Sequence, residues 1–592
     1  MDDEGEVERE FRSYFVKMFT TTQPTQEHME AALAGIHPKI SNEMNEDLEQ
    51  PFTEEEISTT LAQMCPTKAL SPDGLPAVFF QKHWKLVNKG VISMCLYVLN
   101  GKGTLAPLNH TYITLIPKIE KPKKVSDFRP IRLCNVIYRI IAKNIANRLK
   151  IILHQIISLT QSTFIPNRLM TDNIIIGYEC LHKIRHSKSK KQGLVALKLD
   201  ISKAYDRVEW SFVEASMLKL GFSHSWVDLI MRCITSTSFS VLINGVSKGL
   251  ITPQRGLRQG CPLSPYLFIM CAEVFSSLLL QAEKQNLIQG LRFGSSTTIS
   301  HLLFADDSLI FMRTAVADCQ HLKTIFDCYT RASGQLFNLD KSSMFFSGNT
   351  KVEEVEAIKG IFNLNVVSRH ERYLRLPFMV GRNKMNFFND VKLRVLSKIS
   401  NWQNKFFSSG GKEVLIKAVA QAVPCYAISV VRIPISLCDY IEKAIAKFWW
   451  GFKDDKRCIH WAKWEKMCKA KIRRGMGFRD FVCFNQALLA KQACRILQFP
   501  NSLVTKVLQA RYFKQTNFLH AKLGSNPSYI WRSILWGKQV IHKGCRWRIG
   551  RGNNVQIYNS NWIPRGETFR PISIPSFPTD SYVNELIGSD NK

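Results

Sequence analysis

None of the sixteen cysteines in this 592-residue sequence forms a CxxC pair. That argues against both a disulfide framework and a zinc cluster, and it suits a reducing compartment. No run reaches the eighteen or so uninterrupted apolar positions that a membrane span needs. The longest candidate, 266–280, is interrupted by Glu273. The opening MDDEGEVERE is acidic and polar, unlike a signal peptide or an amphipathic transit sequence. The expectation is therefore nucleus or cytoplasm, with no membrane contact. Internal repeats and low-complexity blocks are missing too. Acidic residues are scarce overall, 48 against 80 Lys and Arg, for a net charge of +32. Residues 1–60 hold fifteen acidic and four basic side chains, a net of −11, so the remaining 532 carry +43. A basic body of that size points to a polyanionic partner, nucleic acid first.

What is present reads as a globular chain, 45% apolar and too long for one core. Residues 1–50 read as an acidic linker with one amphipathic helix. SPDGLPAVFF (71–80) is a turn leading into apolar residues. Strand-like runs alternate with helices from 115 to about 347. From 391 onward the pattern is helical, and nine of the twelve Trp lie beyond residue 400. A change of domain is expected near 350–390.

HLLFADDSLIFM (301–312) places Asp306 beside Asp307 between two apolar runs, as at the tip of a β-hairpin. One reading is a plain turn, since Asp caps its own backbone and tolerates positive φ. The other is a pair of carboxylates that disfavour each other's charge unless a divalent cation joins them. LVALKLDISKAYDRVEW (194–210) supplies a third carboxylate, Asp200, at the end of an alternating strand. Asp206 and Glu209 are expected further round, as surface or capping groups. RGLRQGCPLSPYLF (255–268) lies between. Gly256 and Gly260 suggest backbone that approaches a ligand closely, and Ser264–Pro265 suggests an N-cap followed by the first helical residue.

Together these blocks resemble the reverse transcriptases of non-LTR (LINE-type) retrotransposons, the plant lineage in particular. LNHTYITLIPK (108–118), DFRPIRLCNVIYRIIAKNIANRLK (127–150), QSTFIPNRLMTDNIIIGYE (161–179), SGQLFNLDKS (333–342) and YLRLP (373–377) extend the match. So do GGKEVLIKAVAQAVPCY (410–426), FWWG (448–451), GFRDFVCFNQALLAKQ (477–492) and RWRIGRGNNVQIYNSNWIP (546–564) downstream. The resemblance implies an α+β right-hand polymerase with fingers, an antiparallel-sheet palm, a helical thumb and a basic helical C-terminal extension. The expected divisions are 1–50 acidic tail, 51–125 N-terminal extension and start of the fingers, 126–377 fingers and palm, 378–500 thumb and basic extension, and 501–592 connector.

It also implies an RNA-directed DNA polymerase that extends a DNA primer with dNTPs on an RNA template. Asp200, Asp306 and Asp307 would hold two Mg²⁺ ions, with Mn²⁺ as a substitute, Asp307 tuning the site more than ligating. Tyr205 matches the aromatic that excludes a 2′-hydroxyl, with a core aromatic as the open alternative. Gln259 and Gly260 match positions beside the nascent base pair, and Lys118 and Arg129 match triphosphate-neutralising groups. Lys341 matches a lysine placed to protonate pyrophosphate, and a solvated lysine is the equal alternative. Arg168, Asp172 and Asn173 match a block that contacts template or supports the fingers.

In the C-terminal half, Val414, Leu415, Ala418, Val419 and Ala422 read as the buried face of a thumb helix. Residues 441–480 hold twelve basic and five acidic residues interleaved with Trp449, Trp450, Trp461 and Trp464, which suits phosphates and unpaired bases or, for about half of these Trp, a core. The sequence departs from the family pattern at Arg375, Asn167 and Arg474 (Gly expected), Arg132 (Ser) and Cys494 (Trp). No endonuclease, RNase H or zinc-knuckle segment is recognisable, so the chain reads as a fragment of an element's open reading frame. The alternative function is an inactive, nucleic-acid-binding relic. A group II intron maturase shares the polymerase blocks but fits FWWG and RWRIG poorly.

Overall fold

The computed structural model describes residues 4–67, 71–187, 192–368, 372–374, 376–377, 388–402, 407–453, 456–457, 459–553, 555–564, 569–572 and 574–587. The chain mixes helix and sheet and divides into two compact units. One comprises Met1–Asn173, Cys180–Arg292 and Thr298–His370, and the other Ile174–Glu179, Phe293–Thr297 and Glu371–Lys592.

Among the described residues, the first unit carries two larger sheets, of four and six strands. In one, β1 (His110–Pro117) lies between antiparallel β2 (Phe128–Cys134) and parallel β4 (Ser238–Ile243), and β5 (Val246–Ile251) closes the edge. Asn244 and Gly245, both at positive φ, link β4 to β5, the primed turn whose twist matches a hairpin. The second sheet centres on β3 (Leu194–Ser202). Antiparallel β7 (Asp307–Arg313) and β9 (Ser343–Phe346) flank it. Outside them lie β6 (His301–Phe304) on β7 and β10 (Asn365–Val366) on β9, while the short β8 (Leu336–Phe337) also pairs with β3.

Helices Val136–Ile156, Trp210–Leu220, Ser264–Lys284 and Val316–Ser333 supply most of the apolar core with this second sheet. Ser264–Lys284 is long and apolar enough to cross a membrane, yet 67% of its most apolar window is buried inside the protein. Its Glu273, which interrupts the apolar run, pairs with Lys39 at 2.8 Å and accepts the Ser158 amide at 2.9 Å. The expected Ser264 cap is not formed. Leu263 occupies the cap position without a side-chain bond, and Ser264 is the first helical residue.

Residues 4–49 are no linker. They form helices Glu4–Phe19, Gln26–Leu33 and Asn42–Glu49, the latter two capped by Thr25 and Ser41. Phe15, Met18 and Phe19 pack with Ile113, Phe239, Val241 and Ile251, and Met29, Ala32, Leu33 and Leu48 enter the main core. Acidic composition hid this because each helix buries only a narrow stripe.

The second unit is largely helical. Phe481–Gln498 packs closely on Tyr529–Gly544, and a Cβ on Gly537 would come within 2.4 Å of the Leu489 backbone. Only glycine lets the two backbones meet there. Trp531 is fully buried and stacks on Tyr512 with ring centroids 4.6 Å apart. Buried Glu179 is held by Arg511 at 2.8 Å, by Tyr512 at 2.7 Å and by Ser528. The face expected for the helix beyond Gly411 is wrong. Ser409–Leu415 passes into a π-turn at Ile416–Ala420, which rotates the pattern. Ile416 and Ala420 are buried, whereas Val414, Ala418 and Ala422 are exposed.

Candidate active site

The register of β3 against β7 sets Asp200 opposite Asp307, a pairing that holds Cα atoms about 4.5–5.5 Å apart. Residue Asp306 belongs to the two-residue turn joining β6 to β7, and the positive φ (52°) falls on Ala305 rather than on an aspartate. A left-handed alanine costs about 1–2 kcal/mol, and the flanking strands impose it. Leu302, Leu303 and Leu309–Met312 are buried, and Asn173 donates to the Leu303 carbonyl at 2.7 Å while accepting from Ser162. The Asp200 backbone is pinned too, its carbonyl accepting from Asn338 (2.7 Å) and its amide donating to the Ser342 hydroxyl (3.2 Å).

Three carboxyls thus share one end of a rigid sheet. Burial pushes Asp307 up to about 6, and the charges of Asp306 and Asp200 add to it against the opposing effect of Lys198. Asp306, at the exposed tip, is also raised, first by the protein crowding it and then by Asp200. The Lys341 ammonium lies 3.9 Å from Asp200, too long for a tight pair. Three hard oxygen donors whose mutual charge is poorly offset fit a divalent cation. Among the described residues no group of three or more His, Cys, Asp or Glu side chains is placed to hold a metal ion by itself.

Cations gather nearby. Burial lowers the Lys118 ammonium, and Lys203, Lys341 and Arg129 lower it further, so the four feel one another's field. Lys118 also donates to the Ser126 carbonyl at 2.7 Å. Lys203 went unnoticed in the sequence; it sits at φ 52° just beyond β3, and only its place three residues after Asp200 could have marked it. Tyr205 stacks on Phe268 at 4.7 Å, against the core, and its hydroxyl is pushed up by burial and then by Asp306.

The glycine loop divides its labour. Gly260, at φ 100°, would place a Cβ in ordinary contact with the Arg132 carbonyl oxygen at 3.6 Å, and Gln259 beside it is exposed. Gly256, also at φ 100°, would drive a Cβ to 2.7 Å from the Asp206 carbonyl. It serves the chain's own closure rather than a ligand.

Asp206 and Glu209 are not surface groups. Asp206 is buried against Arg132 at 2.5 Å, and Glu209 is buried against Arg255 at 3.0 Å while accepting from Thr21 and Thr22. The Arg132 guanidinium also lies over the Phe19 and Phe239 rings, 5.4 and 5.3 Å from their centroids. Arg168 turns to its own chain's backbone. Its guanidinium donates to the carbonyls of Ile157, Ser158 and Gln161, which clamps the end of helix Val136–Ile156. Asp172 accepts the Leu169 amide at 3.1 Å at the start of the next helix.

Residues 119–375 match the family described as reverse transcriptase (RNA-dependent DNA polymerase). An uncharacterized mitochondrial protein of Arabidopsis thaliana is 41% identical over 143 residues, 24% of this chain and 93% of that protein. An uncharacterized 149 kDa protein of transposon TX1 from Xenopus laevis is 26% identical over 459 residues, 76% of this chain and 34% of the other. The Pol polyprotein of the Drosophila melanogaster retrotransposable element R2DM is 30% identical over 199 residues, 34% of this chain and 18% of the other. The chain belongs to the reverse transcriptases of non-LTR (LINE-type) retrotransposons. It spans about a third or less of these two transposon proteins. Within this reverse transcriptase, two departures from the family pattern now have backbone explanations: Asn167 and Arg474 stand at φ 64° and 59°, where glycine is at ease. Arg132 supplies the partner of Asp206. Nothing in the structure explains Cys494, and Arg375 lies outside the described residues.

Proposed function

We propose that this reverse transcriptase extends a DNA primer with dNTPs on an RNA template by two-metal nucleotidyl transfer. The observation that carries the reading is Asp200 set opposite Asp307, with Asp306 in the adjoining turn. In this reading the six-stranded sheet is the palm, residues 126–377 hold fingers and palm, and residues 378–500 hold the thumb and basic extension.

Two Mg²⁺ ions held by Asp200 and Asp306, with Asp307 tuning the pair, would activate the primer 3′-hydroxyl and clamp the leaving pyrophosphate. The chain's own groups do the rest. Lys118 and Arg129 neutralise the triphosphate, Arg129 through its planar fork. Lys203 adds to that field. Lys341, exposed and loosely paired, is free to swing toward the leaving pyrophosphate and give it a proton. The Tyr205 ring, braced by Phe268, blocks a 2′-hydroxyl. The exposed turn at Gln259–Gly260 lets the new base pair lie close to backbone.

Primer extension on poly(rA)/oligo(dT) with purified protein tests this. Asp306→Asn should abolish extension while duplex affinity stays within about twofold, because it removes a charged ligand and keeps the side chain's size. Extension by Asp306→Asn at the wild-type rate would end the metal assignment. Equal inertness of both proteins with binding retained would mark a relic.

A further inference from the structure

The loop 467–478 of the second unit is built to project rather than to pack. Its closure is tight. The amides of Met476 and Phe478 donate to the Met467 carbonyl, and the Gly477 amide donates to that of Lys469. A Cβ on Gly475 would fall 2.0 Å from the Lys469 carbonyl oxygen, so only glycine closes this turn. The base is anchored: Met467 and Phe478 are buried, Trp464 stacks on Phe478 at 5.4 Å, and Trp449 meets the same ring edge-on at 5.4 Å. At the apex, Ile472 is 93% exposed. Lys471, Arg473 and Arg474 surround it, all exposed. Trp461, 80% exposed, precedes the loop. Residues 459–474 hold six Lys or Arg against one acidic residue, Glu465.

We propose that this loop is a wedge for nucleic acid, engaging unpaired bases where a strand leaves a duplex. The proposal rests on the polymerase reading for its choice of partner. An aliphatic side chain held in water by a rigid turn has no folding advantage, but it is ready to insert against a base step without further ordering. Of the cations beside it, Lys471 pairs with Glu413 at 2.7 Å, while the exposed Arg473 and Arg474 can meet phosphates, and the flat face of Trp461 can stack on any base. A lipid surface would also accept apolar and basic groups together. It is the poorer fit, because insertion there is the work of an amphipathic helix with a continuous apolar face, and this turn offers isolated side chains.

The test uses the full chain and fluorescence anisotropy with three probes: single-stranded RNA, a blunt RNA duplex, and a duplex carrying a single-stranded overhang. Ile472→Ser and Trp461→Ala should each weaken binding to the single strand and the overhang probe by roughly five- to tenfold. Their affinity for the blunt duplex and their salt dependence should stay at wild-type levels. Both side chains are exposed, so an unchanged thermal midpoint confirms that the variants fold. Arg473→Gln should instead weaken all three probes and lower the salt slope by about one. Wild-type affinity of Ile472→Ser and Trp461→Ala for every probe would overturn the proposal. So would dependence on Ile472 seen only with phosphatidylserine vesicles. Because binding is read without dNTPs, a chain that fails to extend primers but shows the Ile472 effect would sink the catalytic reading and leave this one standing.

Discussion

At the scale of single residues, backbone conformation and charge burial decide which substitutions matter. Arg474 occupies a left-handed conformation at the end of a 3₁₀ turn. Arg474→Gly should therefore stabilise the second unit by roughly 1 kcal/mol, seen as a small rise in its urea midpoint. An unchanged or lower midpoint would mean that the side chain contributes more than the strain removes. Glu442 is pushed up to about 7, chiefly by burial and then by Asp480 and Asp439, although the Phe481 amide donates to it at 2.8 Å. A carboxyl raised in the folded state favours folding fully below its unfolded value near 4.5, and that contribution is lost as pH rises through about 7. Glu442→Gln keeps an acceptor for Phe481 and removes the charge. Its thermal midpoint should match wild type near pH 4.5 and exceed it increasingly up to pH 8; a gap independent of pH would refute the assignment.

At the scale of elements, the N-terminal helix and the turns near the active site are locked by buried charge. Arg255 bonds Glu209 and the Met18 carbonyl, while Thr21 and Thr22 bond Glu209 from the other side. Glu209→Ala leaves the Arg255 charge buried and unpaired, so it should destabilise the first unit by about 3–5 kcal/mol. Equilibrium unfolding by urea measures this. A loss below about 1 kcal/mol would show that the N-terminal segment is held by its apolar face alone. The same lock explains why Asp206 and Glu209 look ordinary in the sequence. Helical spacing turns them away from Asp200, which suggests solvent, and only the arrival of Arg132 and Arg255 makes that direction an interior.

At the scale of the whole molecule, charge is the dominant property. The acidic first sixty residues are partly engaged within the first unit, as in Glu56 with Arg148 at 2.9 Å and Glu8 with Lys248 at 4.0 Å. The net +32 that remains over the whole chain suits an external polyanion. Primer–template affinity should fall by about 10³–10⁵ between 50 and 200 mM salt if six to ten phosphates are contacted. Titrations at several salt concentrations give the slope directly, and affinity insensitive to salt would contradict a phosphate-dominated interface.

Strand periodicity, the paired aspartates in a hairpin and the Asp200 strand end were legible because each depends on neighbours within about ten residues. The order of the blocks was enough to name the family. What the chain alone could not reveal were choices made by distant partners. The register of β3 on β7 joins residues 107 apart in sequence, and the Arg132–Asp206 pair spans 74 positions. The Thr22–Glu209 bond spans 187. The task of Gly256 was out of reach for the same reason: a glycine has no visible role until the carbonyl it approaches is in place. Local pattern sets which elements form, and tertiary packing decides whether a charged side chain meets water, a ligand or its counter-charge.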